Sequence, residues 1–216
     1  MTGRWFGLII IACMCLFALW VFPSIQTPVP VHSNEAAEVD LWASPFEAII
    51  IPPILALFLY LIMLANRPHR YLTAHEQYID HMAWLILNMG LAMLCVMYIA
   101  LLGRSLGWVS EVRRAVILAF GLATIILGYY LPHVRSHEWL GIRTPWTLAN
   151  SVVWNKTHRL GQWSFLVGGL IICVAAWLQK PYRRDLSMLG FIMAAGIPII
   201  YSYFIWRRDN RQSMRE

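Results

Sequence analysis

Gly141-Ile142-Arg143-Thr144-Pro145-Trp146-Thr147-Leu148-Ala149-Asn150-Ser151-Val152-Val153-Trp154-Asn155-Lys156-Thr157-His158-Arg159-Leu160-Gly161 is the one polar, information-rich passage in a chain that is otherwise mostly oily. Thr144 followed by Pro145 is a helix-start signal. A Thr hydroxyl accepts from the unpaired amides of a first turn, and Pro at the first helical position loses no hydrogen bond. Continued to Gly161, such a helix places Trp146, Asn150, Trp154 and His158 along one slowly drifting face, with Thr147 and Thr157 beside it. Gly161 then serves as its stop or as a joint.

On both sides of this passage the chain turns apolar. Hydrophobic residues make up 59% of the sequence and charged residues 13%, about half the charged share of soluble domains. Runs long enough to cross a bilayer lie near 5–22, 46–65, 82–102, 115–131, 162–178 and 186–206. Their apolar character is continuous rather than alternating, which excludes a membrane β-barrel. The expected fold is an all-α integral membrane protein, a bundle of about six transmembrane helices with an interfacial helix between the fourth and fifth. It is read as a single transmembrane domain over 1–216. Residues 1–80 form an N-terminal module with an acidic outer loop at 23–46, and 81–216 a helical bundle that bears the 141–161 motif.

The net charge of +6 does not mark a nucleic-acid binder, because Lys and Arg sit in short turns and at the C-terminus instead of forming a basic stripe. They read as topology. With the N-terminus inside, the inner segments hold Arg4, Arg67, Arg70, Arg135, Arg143, Lys156, Arg159, Arg207, Arg208, Arg211 and Arg215. The outer segments hold Arg104, Arg113, Arg114, Lys180, Arg183 and Arg184. The excess inside places both termini in the cytoplasm. Cys13, Cys15, Cys95 and Cys173 all fall in apolar runs without a Cys-x-x-Cys pair, so they read as packing thiols. The first run continues through Phe22 without the polar residues that follow a cleavage site, which argues against a cleaved signal peptide.

Within the spans a few residues stand out. Pro52-Pro53 should kink the second span or make it re-entrant, and Pro198 should kink the last. Asn88 suits an interhelical hydrogen bond. Gly121, Thr124 and Gly128 in the fourth span, with Gly161, Ser164, Gly168 and Gly169 at the fifth, are small residues near helical spacing. They predict close packing of those two spans. Pro23, Pro28 and Pro30 keep the first outer loop extended.

Candidate chemistry is sparse. His133 and His137 have the spacing of two helical metal ligands, but the motif lacks the intervening Glu and Pro132 begins a turn, so no metal is expected there. His32, Asn34, Glu38 and Asp40 form either an outward site for a cation or a peptide's cationic end, or a loop hydrogen-bonded closed on itself. In the 141–161 passage Arg143, Asn150, Trp154, His158 and Arg159 are groups a partner could read, while Trp146, Trp154 and Trp163 suit anchoring at the headgroup level. No carboxylate orients His158 and no Ser or Cys nucleophile lies at fixed spacing from it. No catalytic residue is assigned, and an enzyme is the minority reading.

The passage resembles the signature of the SdpI family of bacterial membrane proteins. The resemblance rests on the run from Gly141 to Leu148, then Asn150, Val153-Trp154 and Thr157-His158-Arg159. Pro30-x-His32-x-Asn34 and Asp40 resemble a second block in the N-terminal module of many relatives, with Ser33 where they often carry Trp and Ala37 where they usually carry Gly. Relatives usually show Lys and Asn near positions 133 and 137, which argues against a family-wide metal. The resemblance implies a multi-pass protein of the bacterial cytoplasmic membrane, surrounded by lipid, without a cofactor, that gives immunity to a secreted membrane-active peptide toxin or senses it. It further implies toxin contact at His32, Asn34 and Asp40. A cytoplasmic ArsR-type repressor would be held at the inner surface by Arg143, Thr144, Trp146, Asn150, Trp154, His158 and Arg159, with no direct contact to nucleic acid. The alternative is a membrane-embedded hydrolase or transferase, possibly metal-dependent, in which the signature and loop polar groups converge. A transporter is disfavoured because the spans are nearly free of charge.

Overall fold

A computed structural model of the chain describes residues 2–33, 39–65, 73–136 and 140–213. In order these form α1 (Thr2–Val21), β1 (Val29–Ser33), β2 (Val39–Ala43), α2 (Pro45–Ala65), α3 (Ala74–Ser105), α4 (Val112–Tyr130), a 3-10 turn (Leu131–His133), α5 (Pro145–Ala149), α6 (Ser151–Ala175), α7 (Tyr182–Phe191), a π-helical turn (Ile192–Gly196) and α8 (Ile197–Ser213). Six segments are long and apolar enough to cross a membrane: Arg4–Val21, Pro45–Ala65, Asp80–Ser105, Val112–His133, Ser151–Ala175 and Tyr182–Asp209. The expected six-span helical membrane protein is borne out. The chain divides into two compact units, Met1–Val116 and Ile117–Glu216.

In the first unit α1, α2 and α3 bury Met14, Ile49, Ala56, Trp84, Leu91 and Tyr98. Pro52 and Pro53 sit inside α2, which nevertheless runs unbroken from Pro45 to Ala65, so it is not re-entrant. Pro53 has no amide to offer the Ile49 carbonyl one turn back, and that carbonyl is satisfied from outside the helix: Tyr98 Oη donates to it at 2.9 Å. Ser44 starts α2 with a reciprocal cap. Its Oγ accepts from the Glu47 amide at 3.3 Å, and Glu47 Oε2 accepts from the Ser44 amide at 2.9 Å. Glu47 therefore belongs to a helix start. Asn88 packs where a Cβ on Gly7 would lie 2.8 Å from its Oδ1, so α1 and α3 approach closely at that level.

The segment between α1 and α2 is more ordered than an extended coil. β1 and β2 pair antiparallel in the register Val29↔Ala43, Pro30↔Trp42, His32↔Leu41 and Ser33↔Val39, with irregularities on both sides of His32. Pro30 is tolerated because each strand of a two-stranded ribbon has an unpaired edge.

In the second unit α6 is the central element. A Cβ on Gly121 would lie 3.0 Å from the Cys173 amide nitrogen and one on Gly169 2.8 Å from the Gly121 carbonyl, so α4 and α6 touch through backbone as expected. On another side of α6, a Cβ on Gly168 would lie 2.4 Å from the Gly190 carbonyl, which brings α7 equally near. A π turn, Ile192–Gly196, directly precedes Pro198 in the last span, where Pro198 has no amide to offer the Ala194 carbonyl one turn back.

Candidate functional site: the signature lock

The signature departs from the single helix expected over 144–161. Thr144 does start a helix, with extended backbone (φ −108°, ψ 158°), an Oγ1 that accepts from the Thr147 amide at 3.2 Å, and a Thr147 Oγ1 that accepts from the Thr144 amide at 2.8 Å. That helix ends at Ala149. Asn150 is extended (φ −145°, ψ 116°) and caps a second helix, its Oδ1 accepting from Val152 and Val153 at 2.8 and 3.2 Å. Residues from Ser151 onward are the first turns of α6, and Gly161 lies inside it. Gly161 is therefore neither a stop nor a joint: it lets Leu131 and Ile142 pack against α6, since a Cβ there would fall against Leu131 Cδ2 and Ile142 Cδ1.

The interruption of the helix at Asn150 separates the signature residues into two clusters. In the first, Thr147 Oγ1 donates to the Ile142 and Thr144 carbonyls at 2.9 and 3.0 Å while accepting from Thr144, which makes it the hub of the turn. Thr144 Oγ1 lies 3.4 Å from Ser202 Oγ on α8, and Trp146 Nε1 donates to the same hydroxyl. The Trp146 ring also meets Tyr203 edge-on at 5.5 Å. Asn150, besides capping α6, donates through Nδ2 to Asp209 Oδ2 at 2.7 Å. The turn is thus bolted to α8 at three levels.

In the second cluster Trp154 and His158, one turn apart on α6, are fully buried and stacked, with centroids 4.1 Å apart and planes 20° apart. Trp154 Nε1 donates to the Val134 carbonyl at 2.8 Å. His158 Nε2 accepts from the Ile142 amide at 3.0 Å, and its Nδ1 lies 2.9 Å from the Trp154 carbonyl. Only a neutral imidazole with its proton on Nδ1 makes both bonds. Gly141 presses on this stack with φ +103°, and a Cβ there would lie 2.5 Å from His158 Nε2 and 2.8 Å from Trp154 Cζ2. Both ring nitrogens of His158 are engaged, so neither is free for proton abstraction or metal ligation.

Of the named signature residues, Arg143 and Arg159 are exposed, Trp146 and Asn150 half-buried, and Thr144, Trp154 and His158 buried. Sequence reasoning missed Thr147 as a hub, Gly141 as a conformational requirement, and Ser202 and Asp209 as partners on α8. The one available signal was that Ser202 interrupts an otherwise apolar and aromatic run. On the hairpin, His32 Nδ1 and Asp40 Oδ1 meet at 2.6 Å across the strands, with both side chains substantially exposed. Asn34 and Glu38 lie outside the described residues, as do His137 and Glu138. Among the described residues no three His, Cys, Asp or Glu side chains gather as metal ligands do.

A family model for the SdpI/YfhL protein family matches residues 133–205, which hold both clusters of the lock, except Asp209, and about half of α8. A second model, described as a domain of unknown function (DUF1648), matches residues 9–57, which hold most of α1, the hairpin and the first half of α2. The immunity protein SdpI of Bacillus subtilis (strain 168) is 24% identical over 205 residues, covering 94% of this chain and 95% of that protein. No solved structure matches the chain. The resemblance read from the signature is borne out, and the matched segment holds the buried hydrogen bonds of Thr144, Thr147, Trp154 and His158.

Proposed function

We propose that this multi-pass membrane protein confers immunity on the cell that makes it, protecting its cytoplasmic membrane against a secreted, membrane-active peptide toxin. The observation that carries this reading is the end-to-end likeness to the immunity protein SdpI, which covers nearly all of both chains. In this proposal the N-terminus is cytoplasmic. The hairpin then faces outward, with His32, Asn34 and Asp40 as its toxin-contacting groups, and the signature faces inward. Arg143 and Arg159, exposed on either side of the lock, are the groups there that reach a cytoplasmic partner such as an ArsR-type repressor. Thr144, Trp146, Asn150, Trp154 and His158 act by holding that surface in shape.

The test is survival of toxin-sensitive bacteria that express the chain, challenged with a panel of secreted membrane-active peptides. Wild type should protect against at least one peptide. Trp154→Ala should lose protection at matched membrane abundance, because it leaves the Val134 carbonyl unbonded and a cavity beside His158. Failure to protect against any peptide would sink the immunity reading.

A further inference from the structure

We propose that a cleft between α6 and the end of α8 binds the headgroup of a zwitterionic phospholipid, a phosphate ester that carries a primary ammonium group. The cleft, about 180 Å³ in volume, is lined by Lys156, Ile205, Arg208 and Asp209. It lies outside the buried lock, and Asp209, which lines the cleft and accepts from Asn150, joins the two.

The charges that line the cleft are not used up by one another. Among the described residues, neither the Lys156 nor the Arg208 side chain forms an ion pair or hydrogen bond. Lys156 and Arg208 face a single carboxylate, that of Asp209, so the lining carries one positive charge in excess and favours an added anion. A phosphate supplies that anion and accepts from both. Asp209 then sets the rest of the ligand. Its Oδ2 is tied to Asn150 at 2.7 Å, which holds the carboxylate at the cleft and leaves Oδ1 facing no partner among the described residues. A bare anion would meet this carboxylate with repulsion. A headgroup whose ammonium lies two carbons beyond the phosphate sets an opposite charge against every charged wall, and its N–H bonds suit Oδ1.

The position along the membrane agrees. Trp206 lies next to Ile205 in sequence, and its ring is 6.1 Å from that of Trp146, a pair of indoles of the kind that sits at headgroup depth. The first turns of α6 expose Asn155, Lys156 and Arg159 before the helix turns apolar, and Trp163, 65% exposed, follows on the same helix. The cleft therefore opens where lipid phosphates lie, with Ile205 toward the acyl side. This reading is independent of the immunity proposal and stands or falls without a toxin.

The purified full chain would be titrated with phosphatidylethanolamine, phosphatidylcholine and phosphatidylglycerol of matched acyl chains, and bound lipid counted by native mass spectrometry. Phosphatidylethanolamine should bind about tenfold more tightly than the other two, as one added charge-assisted bond implies. Asp209→Asn should erase that preference. Arg208→Gln, which leaves the Asn150–Asp209 bond untouched, should weaken all three lipids, and Lys180→Gln should change nothing. Equal binding of the three lipids by wild type, tighter phosphatidylglycerol, or a preference that survives Asp209→Asn would each overturn the proposal. Displacement of bound lipid by inorganic phosphate would also overturn it, since the site would then be one for a free anion.

Discussion

At Gly141 two separate requirements fall on one residue. The backbone is left-handed at φ +103°, and the space where a side chain would begin is held by His158 and Trp154. Gly107 provides a contrast, with φ +77° and nothing within 4 Å of its would-be Cβ. An alanine at Gly107 therefore meets only the backbone penalty, about 1–2 kcal/mol. Gly141→Ala adds overpacking against two rings that are themselves hydrogen-bonded in place, for roughly 2–5 kcal/mol in all. Thermal unfolding of the detergent-solubilised chain should show the larger drop in midpoint for Gly141→Ala, and equal drops would contradict the close packing at His158. The same geometry explains why His158 attracted a chemical reading from sequence. An imidazole beside Thr157 and Arg159 looks available on paper, whereas in the fold the Ile142 amide and the Trp154 carbonyl occupy its two nitrogens.

Helices in the second unit pack by removing side chains rather than by interlocking large ones. Association in lipid has little hydrophobic drive, so close backbone approach and its dispersion contacts carry it. Gly168 shows the consequence, since its would-be Cβ lies 2.4 Å from the Gly190 carbonyl and 3.1 Å from the Ala194 amide nitrogen, both backbone atoms that cannot rotate away. Gly168→Ala should push α6 from α7 and lower the unfolding midpoint by an amount equivalent to about 1–3 kcal/mol. Gly90→Ala in α3, where nothing lies within 4 Å, should raise it by about 0.5–1 kcal/mol through helix propensity alone. A destabilised Gly90→Ala would show that propensity is not the governing term there.

These elements also mark how far the sequence could be read. The spans were legible because uninterrupted apolar runs have few other uses, and the α4–α6 contact because Gly121, Gly128 and Gly169 fall at helical spacing. The break at Asn150 was not legible. Asn is ordinary within a helix, and the groups that hold this one extended include Asp209, 59 residues away. Ser202 and Thr147 were missed for the same reason, since a hydroxyl's importance lies in partners that only folding brings near. Tyr98 answering the carbonyl orphaned by Pro53 is a third case, readable as a need in α2 but not as a solution in α3.

Across the whole molecule, the charge pattern and the six spans combine into one testable orientation. In the proposed topology six crossings would return the chain to the side where it began, so both ends would share a face with the signature, which follows the fourth apolar span. Counted along the sequence, that topology assigns eleven of the 17 Lys and Arg residues to this face and six to the other, so the proposed orientation makes it the cytoplasmic one. Ser151 reports on it well, because it is exposed at the first turn of α6 and its hydroxyl makes no bond that a thiol would disturb. The native cysteines all lie in spanning helices and can be replaced by serine to remove background. In intact cells, Ser151→Cys should resist a membrane-impermeant maleimide and react once the membrane is opened. Labelling from outside in intact cells would invert the topology. It would then set the signature and the Lys156–Arg208 cleft against the outer leaflet, and place the His32–Asp40 hairpin out of reach of any secreted peptide.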